Sequence, residues 1–225
     1  MSKSNLAVKE ELENVAAEDV IIINQNEQEN YRPSKDKEIR VNNNLSYLIM
    51  KKIVDIIAGI LGTILLVPLI AVVWFIRICL HENDGPLFFE QIRIGKNGKQ
   101  FRMYKFRTMV MEADEKLYRY LEENPEAKKE YKKYKKLKHD PRITKLGNIL
   151  RKTSLDEFPQ FVNILKGEMS LVGPRPYLYR EKEDLGEYYY NSITKVKPGI
   201  TGYWQVNGRN DVDFEERAYM DTYYI

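Results

Sequence analysis

A mostly helical α/β fold, with a small β-hairpin or sheet and one apolar membrane segment, is what this sequence predicts. Three features predict it: 21 consecutive uncharged residues from Ile56 to Ile76, an Asn-Gly turn between two strand-like runs, and a short stretch of helical period at 158–165. They divide the chain into a tail over 1–44, a membrane helix over 45–82 and a folded domain over 83–225.

The tail is rich in Asn, Gln, Glu and Lys around one apolar island, Val20-Ile21-Ile22-Ile23, and without a sustained period it is expected to be disordered. No basic leader precedes an apolar core, so no signal peptide is expected. The 31% charged and 43% hydrophobic composition of the 225 residues is that of a globular protein. Charge separates along the chain: six Lys/Arg against nine Asp/Glu over 1–44 leave thirty against twenty-four beyond it, an excess of +6 within a formal net charge of +3. This excess favours acidic partners such as phosphates or anionic lipids and is too small to indicate nucleic acid. One cysteine, Cys79, allows no intrachain disulfide and points to a reducing compartment. Two histidines, His81 and His139, are too few for a His/Cys zinc site and leave little room for histidine-based catalysis.

The uncharged run reaches the roughly 20 residues that a bilayer crossing needs. Lys51-Lys52 precede it and Arg77 closes it, a placement that reads as two cytoplasmic ends. Pro68, in its middle, removes a backbone donor and predicts a kink. A kinked spanning helix and a re-entrant helix-break-helix both satisfy these features.

Beyond Gly85-Pro86, the runs Leu87–Gly95 and Gln100–Arg107 around Lys96-Asn97-Gly98-Lys99 predict a β-hairpin. Residues 111–138 predict a helix in which Lys128, Lys129, Lys132, Lys133, Lys135, Lys136 and Lys138 alternate with Tyr131, Tyr134 and Leu137. That pattern suits a surface resting on anionic headgroups and equally a solvated helix face. No internal repeat, Walker loop or G-x-G-x-x-G is present, so any nucleotide must be held by other means.

The chemistry is concentrated in Leu150-Arg151-Lys152-Thr153-Ser154-Leu155-Asp156-Glu157-Phe158-Pro159-Gln160. Phe158, Phe161, Val162 and Leu165 fall on one face of a short helix, and Gly167 stands where a C-terminal stop belongs. Placing Pro159 among the first helical residues, whose N–H groups lack partners, makes Asp156 the N-cap. Capping alone also selects such residues, since Ser154-x-x-Glu157 matches a capping box. The surroundings point further: Arg151 and Lys152 lie just upstream, and the basic, proline-stiffened Gly173-Pro174-Arg175-Pro176 follows. A carboxylate near cations stays ionised and can attack phosphorus, guanidinium groups stabilise charge on phosphate oxygens, and an adjacent carboxylate such as Glu157 can hold Mg²⁺. Two more patches, Lys105-Phe106-Arg107-Thr108-Met109 and Pro198 to Arg209, add cations, turn glycines and an aromatic pair.

Together with Asp140-Pro141-Arg142-Ile143-Thr144 and Leu165 to Pro176, these motifs resemble, from about Ser46 to Ile225, the bacterial sugar transferases, monotopic polyprenyl-phosphate hexose-1-phosphate transferases. The resemblance implies a re-entrant membrane helix around Pro68 and a catalytic domain over 83–225 on the cytoplasmic face of the inner membrane. It implies that Asp156 attacks the β-phosphate of a UDP-sugar, releasing UMP, with Mg²⁺ on Glu157, and that undecaprenyl phosphate then displaces Asp156. By position it makes Lys105, Arg107, Arg151, Arg175 and Arg209 phosphate-binding residues, joined by Gln160 and Gln205. The stretch from Lys197 to Tyr224 looks most like the galactose- or glucose-1-phosphate branch, in capsule, exopolysaccharide or O-antigen synthesis. The partners implied are a UDP-sugar, polyprenyl phosphate and membrane lipids, with a homodimer compatible and no nucleic acid. Two departures stand out: Val67 replaces the serine common before the membrane proline, and members continue past Tyr223-Tyr224-Ile225, so a truncated chain is expected. The competing expectation is a non-catalytic, membrane-tethered scaffold of a polysaccharide-assembly complex.

Overall fold

The computed structural model describes residues 41–82, 84–134, 137–207 and 214–225. The tail through residue 40, with its apolar island, lies outside the described residues, as do Lys135, Lys136 and Arg209.

Asn44 starts the first helix, α1 (Leu45–Cys79), by accepting a hydrogen bond from the Ser46 backbone N–H. Its 35 residues make it about 52 Å long at 1.5 Å per residue. By length and composition it could cross a membrane: its most apolar 18-residue window has a mean hydropathy of 2.8. The expected helix-break-helix does not appear in the backbone, which stays helical from Leu45 to Cys79 through Pro68. Val67 has no hydroxyl, so a serine-assisted break beside Pro68 is not available to this helix.

One stripe of α1, formed by Gly59, Gly62, Leu66, Val73 and Arg77, is buried against the rest of the domain. The other faces expose Ile57, Leu61, Ile64, Leu65, Trp74 and Phe75, each at least half exposed. Polar ties fix α1 at both ends of the stripe. Lys51 Nζ donates to Ser170 Oγ and the Val172 carbonyl, and Asp55 accepts from Ser170 Oγ and the Leu171 N–H. At the other end the Arg77 guanidinium donates to the Glu82 and Asp84 carbonyls.

The hairpin forms as predicted. β1 (Phe88–Ile94) pairs antiparallel with β2 (Gln100–Phe106), Ile94 facing Gln100, and the connection takes Asn97 and Gly98 to positive φ. The single helix expected over 111–138 is instead two, α2 (Ala113–Glu123) and α3 (Pro125–Tyr134). Proline keeps the residue before it out of the helical region, so Asn124 breaks the helix, while Pro125 is well suited to open the next. Lys128, Lys129 and Lys132 are exposed on α3.

α4 (Lys145–Thr153) is capped by Thr144, whose hydroxyl accepts from Gly147 N–H, and by the Glu82 carboxylate on the N–H groups of Lys145 and Leu146. A 3₁₀ turn, Leu155–Glu157, leads into α5 (Gln160–Leu165). Two strands of three residues, β3 (Ser170–Val172) and β4 (Gly199–Thr201), pair in parallel. Sequence alone gave no sign of this ladder, because three residues are too few to show a period. Between them runs α6 (Lys182–Ile193), and α7 (Tyr203–Asn207) and α8 (Phe214–Tyr223) complete the domain.

The main core cluster joins α1 to the site. Leu66 and Val73 of α1 meet Phe106 of β2 and Leu146 and Leu150 of α4, and Leu155, Phe158 and Val162 pack on them. Glycine lets α1 approach α5: a Cβ on Gly62 would lie 2.2 Å from the Phe161 ring, and one on Gly59 2.7 Å from Leu165. Gly62→Ala is therefore expected to destabilise the protein. The helix-propensity gain of about 1 kcal/mol is outweighed by an overpacking cost of about 1–3 kcal/mol. Unfolding in detergent checks this, and a more stable variant would show that α1 does not dock on α5.

Candidate active site

The expected N-cap role of Asp156 is not what the backbone provides. Ser154, at φ 59°, ends α4 in the left-handed region, and Asp156 sits inside the 3₁₀ turn, one turn ahead of a six-residue α5. Pro159, not Asp156, takes the N-cap position, and the Ser154 side chain makes no cap bond, so the capping box does not form. The turn is fixed by sequence nonetheless, because Leu155 and Phe158 pack toward α1 while Asp156 Oδ2 lies 4.0 Å from Lys105 Nζ. Its residue is 8% exposed.

Opposite stands Lys105, near the end of β2. Its Nζ is 2.6 Å from Glu157 Oε1 and 4.0 Å from Asp156 Oδ2, so one ammonium serves both carboxylates. Lys105 is held there by Asn163 of α5, which is fully buried. Asn163 Oδ1 accepts from the Tyr104 N–H, and Nδ2 donates to the Arg102 carbonyl and to Glu168 Oε2. The short helix that follows the dyad is thereby stitched to the strand that carries its counterion.

Burial raises the Asp156 carboxyl above its ordinary value, the Lys105 and Arg151 charges oppose that rise, and the adjacent Glu157 adds to it. The carboxylate is thus desolvated and more basic than a surface aspartate. Arg151 contributes charge from α4, with its Nε bonded to Thr108 Oγ1 at 2.9 Å.

The remaining expected residues divide. Arg107 is turned away: it donates to the Pro86 carbonyl, stacks over Phe89 at 5.7 Å and lines, with Arg77, Glu82 and Lys145, a separate cleft of about 320 Å³. Gln160 is 2% exposed at the start of α5, and Gln205 donates to the Ile200 carbonyl. Arg175 lies over the Trp204 ring, which Arg217 approaches to 4.9 Å. Arg93, unremarked in the sequence, donates from Nη1 to the Pro176 carbonyl, next to Arg175. It feels the charges of both Arg175 and Glu157, and its own value is pushed down to about 10 by burial and then by Arg175. Its position could have been suspected, because a charged residue between Ile92 and Ile94 in a strand needs a polar partner.

The other motifs have a structural basis. Asp140 pairs bidentately with Arg142; burial pushes the Asp140 carboxyl up, and the Arg142 bonds outweigh it, leaving it below the ordinary value. Gly173, Gly199 and Gly202 are pressed backbone to backbone, a Cβ on Gly199 falling 2.1 Å from Gly173 N. This contact brings the Gly173–Pro176 loop against the Pro198–Gly202 segment.

Among the described residues, no three His, Cys, Asp or Glu side chains are placed to enclose a metal ion. Asp156 and Glu157 do offer the one or two carboxylates that Mg²⁺ uses when substrate oxygens and water complete its shell. The pair thus has donor chemistry that suits such an ion, with Lys105 Nζ standing 2.6 Å from Glu157 Oε1.

Fold and site together define a small, mostly helical domain docked along an apolar helix, with a carboxylate pair facing a lysine beside it. The chain belongs to the bacterial sugar transferase family, whose model matches residues 46–225. It is 45% identical over 193 residues to the undecaprenyl-phosphate galactose phosphotransferase of Salmonella typhimurium, covering 83% of this chain and 39% of that protein. It is 42% identical over 180 residues to the exopolysaccharide production protein ExoY of Sinorhizobium fredii, covering 79% and 77%. It is 37% identical over 185 residues to the UDP-glucose:undecaprenyl-phosphate glucose-1-phosphate transferase of Escherichia coli, covering 79% and 36%. The chain thus spans about two fifths of the length of the Salmonella and Escherichia proteins.

Proposed function

We propose that this chain is a phosphotransferase that moves galactose- or glucose-1-phosphate from a UDP-sugar to undecaprenyl phosphate in two steps. In the first, an Asp156 oxygen bonds to the β-phosphorus, the bond from that phosphorus to the bridging oxygen breaks, and UMP leaves. In the second, a phosphate oxygen of the polyprenyl phosphate bonds to the same phosphorus and the Asp156–phosphorus bond breaks. The product is a polyprenyl diphosphate sugar, and Asp156 is again a carboxylate. One observation carries this reading: the buried, cation-faced Asp156 stands in a turn packed on the apolar helix, where a water-soluble donor and a lipid acceptor can meet.

Lys105, Arg151, Arg93 and Arg175 spread positive charge from the dyad toward Trp204, suited to the oxygens of a diphosphate. Glu157, with Asp156, would hold Mg²⁺, which when bound neutralises diphosphate charge. Lys105 Nζ, 2.6 Å from Glu157 Oε1, would supply a charge-assisted hydrogen bond to a phosphate oxygen beside the pair.

The apolar helix supports a monotopic attachment to the cytoplasmic face of the inner membrane, with the helix seated in one leaflet and not crossing the bilayer. Its stripe is tied to one domain from Lys51 to Arg77, so a perpendicular crossing would carry β3 and α5 into hydrocarbon. The exposed apolar faces are left for lipid.

Mixing the chain with UDP-galactose, UDP-glucose and UDP-N-acetyl sugars, without acceptor, tests the reading. One hexose donor is expected to give a burst of UMP near one per enzyme, and polyprenyl phosphate is expected to convert the burst to turnover. No UMP from any donor would contradict it.

A further inference from the structure

Asp221, on α8, is fully buried, and none of the chemistry above uses it. Its Oδ1 accepts from the Arg175 N–H at 3.1 Å and its Oδ2 from the Tyr177 hydroxyl at 2.7 Å.

The Gly173–Pro176 loop explains why this matters. Pro174 and Pro176 have no N–H, so the loop has two backbone donors. Gly173 N–H goes to the Thr201 carbonyl and Arg175 N–H to Asp221; the Pro174 carbonyl accepts from Gly199 N–H and the Pro176 carbonyl from Arg93 Nη1. Three of these four anchors fix the flanks of the loop. The fourth fixes the residue that carries the guanidinium, and it comes from a side chain of the C-terminal helix. Burial pushes Asp221 up to about 7, against the bonds from Tyr177 and Arg175 and the Arg175 and Arg217 charges, so the carboxylate is costly where it stands.

We infer that Asp221 is a positioning residue that aims Arg175 at the donor diphosphate by holding its backbone, which makes α8 a working part of the site. The inference rests on the phosphotransferase reading for its consequence and on the hydrogen bonds alone for its mechanism. Two readouts separate these. In amide exchange of the full chain in detergent, Asp221→Leu, which offers no acceptor to the Arg175 N–H, is expected to speed exchange at Arg175 while the core amides of α4 and β2 stay protected. Tyr177→Phe, which removes one oxygen, is expected to have a smaller effect of the same sign.

In UMP release, Asp221→Leu is expected to lower kcat/KM by on the order of 10- to 100-fold, the range in which small misplacements of a binding group fall. It is expected to add nothing further in an Arg175→Met background. Unchanged exchange at Arg175 in both variants would overturn the inference whether or not the chain turns over. Equal losses in the two backgrounds would overturn it as well, since a merely structural role adds independently. A wild-type chain that releases no UMP defeats the catalytic reading, and exchange then decides the positioning role by itself.

Discussion

Replacing Asp156 by Asn is expected to cut UMP release by on the order of 10⁴- to 10⁶-fold, the scale on which loss of a covalent nucleophile acts. The amide matches the carboxylate in shape but cannot form the acyl phosphate. Folding should not suffer. Burial already disfavours the charge at this 8%-exposed position, so a neutral isostere removes a desolvation cost while losing its attraction to Lys105. The melting temperature is accordingly expected to hold or rise. Loss of activity through unfolding would place Asp156 among structural residues, and retained activity would remove it from the chemistry.

Lys105→Met is expected to be the next most damaging change, lowering kcat by on the order of 10²- to 10³-fold, as loss of one preorganised charge at a reacting oxygen does. It also carries a signature in pH. The nucleophile acts as a carboxylate, so the rate rises with pH through the Asp156 titration, whose midpoint burial sets above the ordinary carboxylate value. Lys105 opposes that rise, so its loss should move the acid limb of the kcat/KM profile to higher pH. An unmoved limb would mean that another group controls it. Methionine keeps the apolar stem, so the packing of that stem is retained.

Local chemistry made much of this protein legible. The uncharged run, the Asn97-Gly98 turn and the apolar positions 158, 161 and 162 foretold α1, the hairpin and the packing of the dyad segment, because each depends on a few neighbouring residues. Pro125 was a local signal too, and the lysine periodicity around it obscured the break at Asn124. Longer-range placement could not be read. Arg107 and Lys105 are two residues apart on one strand end, yet Lys105 meets the dyad and Arg107 turns to Pro86, a choice set by where α5 and residue 86 come to lie. The roles of Asn163, Arg93 and Asp221 depend on partners 44 to 83 residues away. The cap expected at Asp156 failed because the chain used a 3₁₀ turn before Pro159, a geometry that the same four residues also permit.

The most direct test is to quench the wild-type chain during the UMP burst, with a hexose donor and no lipid acceptor, and map the modified peptide by mass. A hexose phosphate on the peptide carrying Asp156, assigned to that residue and lost when polyprenyl phosphate is added, is the predicted result. UMP release with no adduct, or an adduct on Glu157 or elsewhere, would contradict the account.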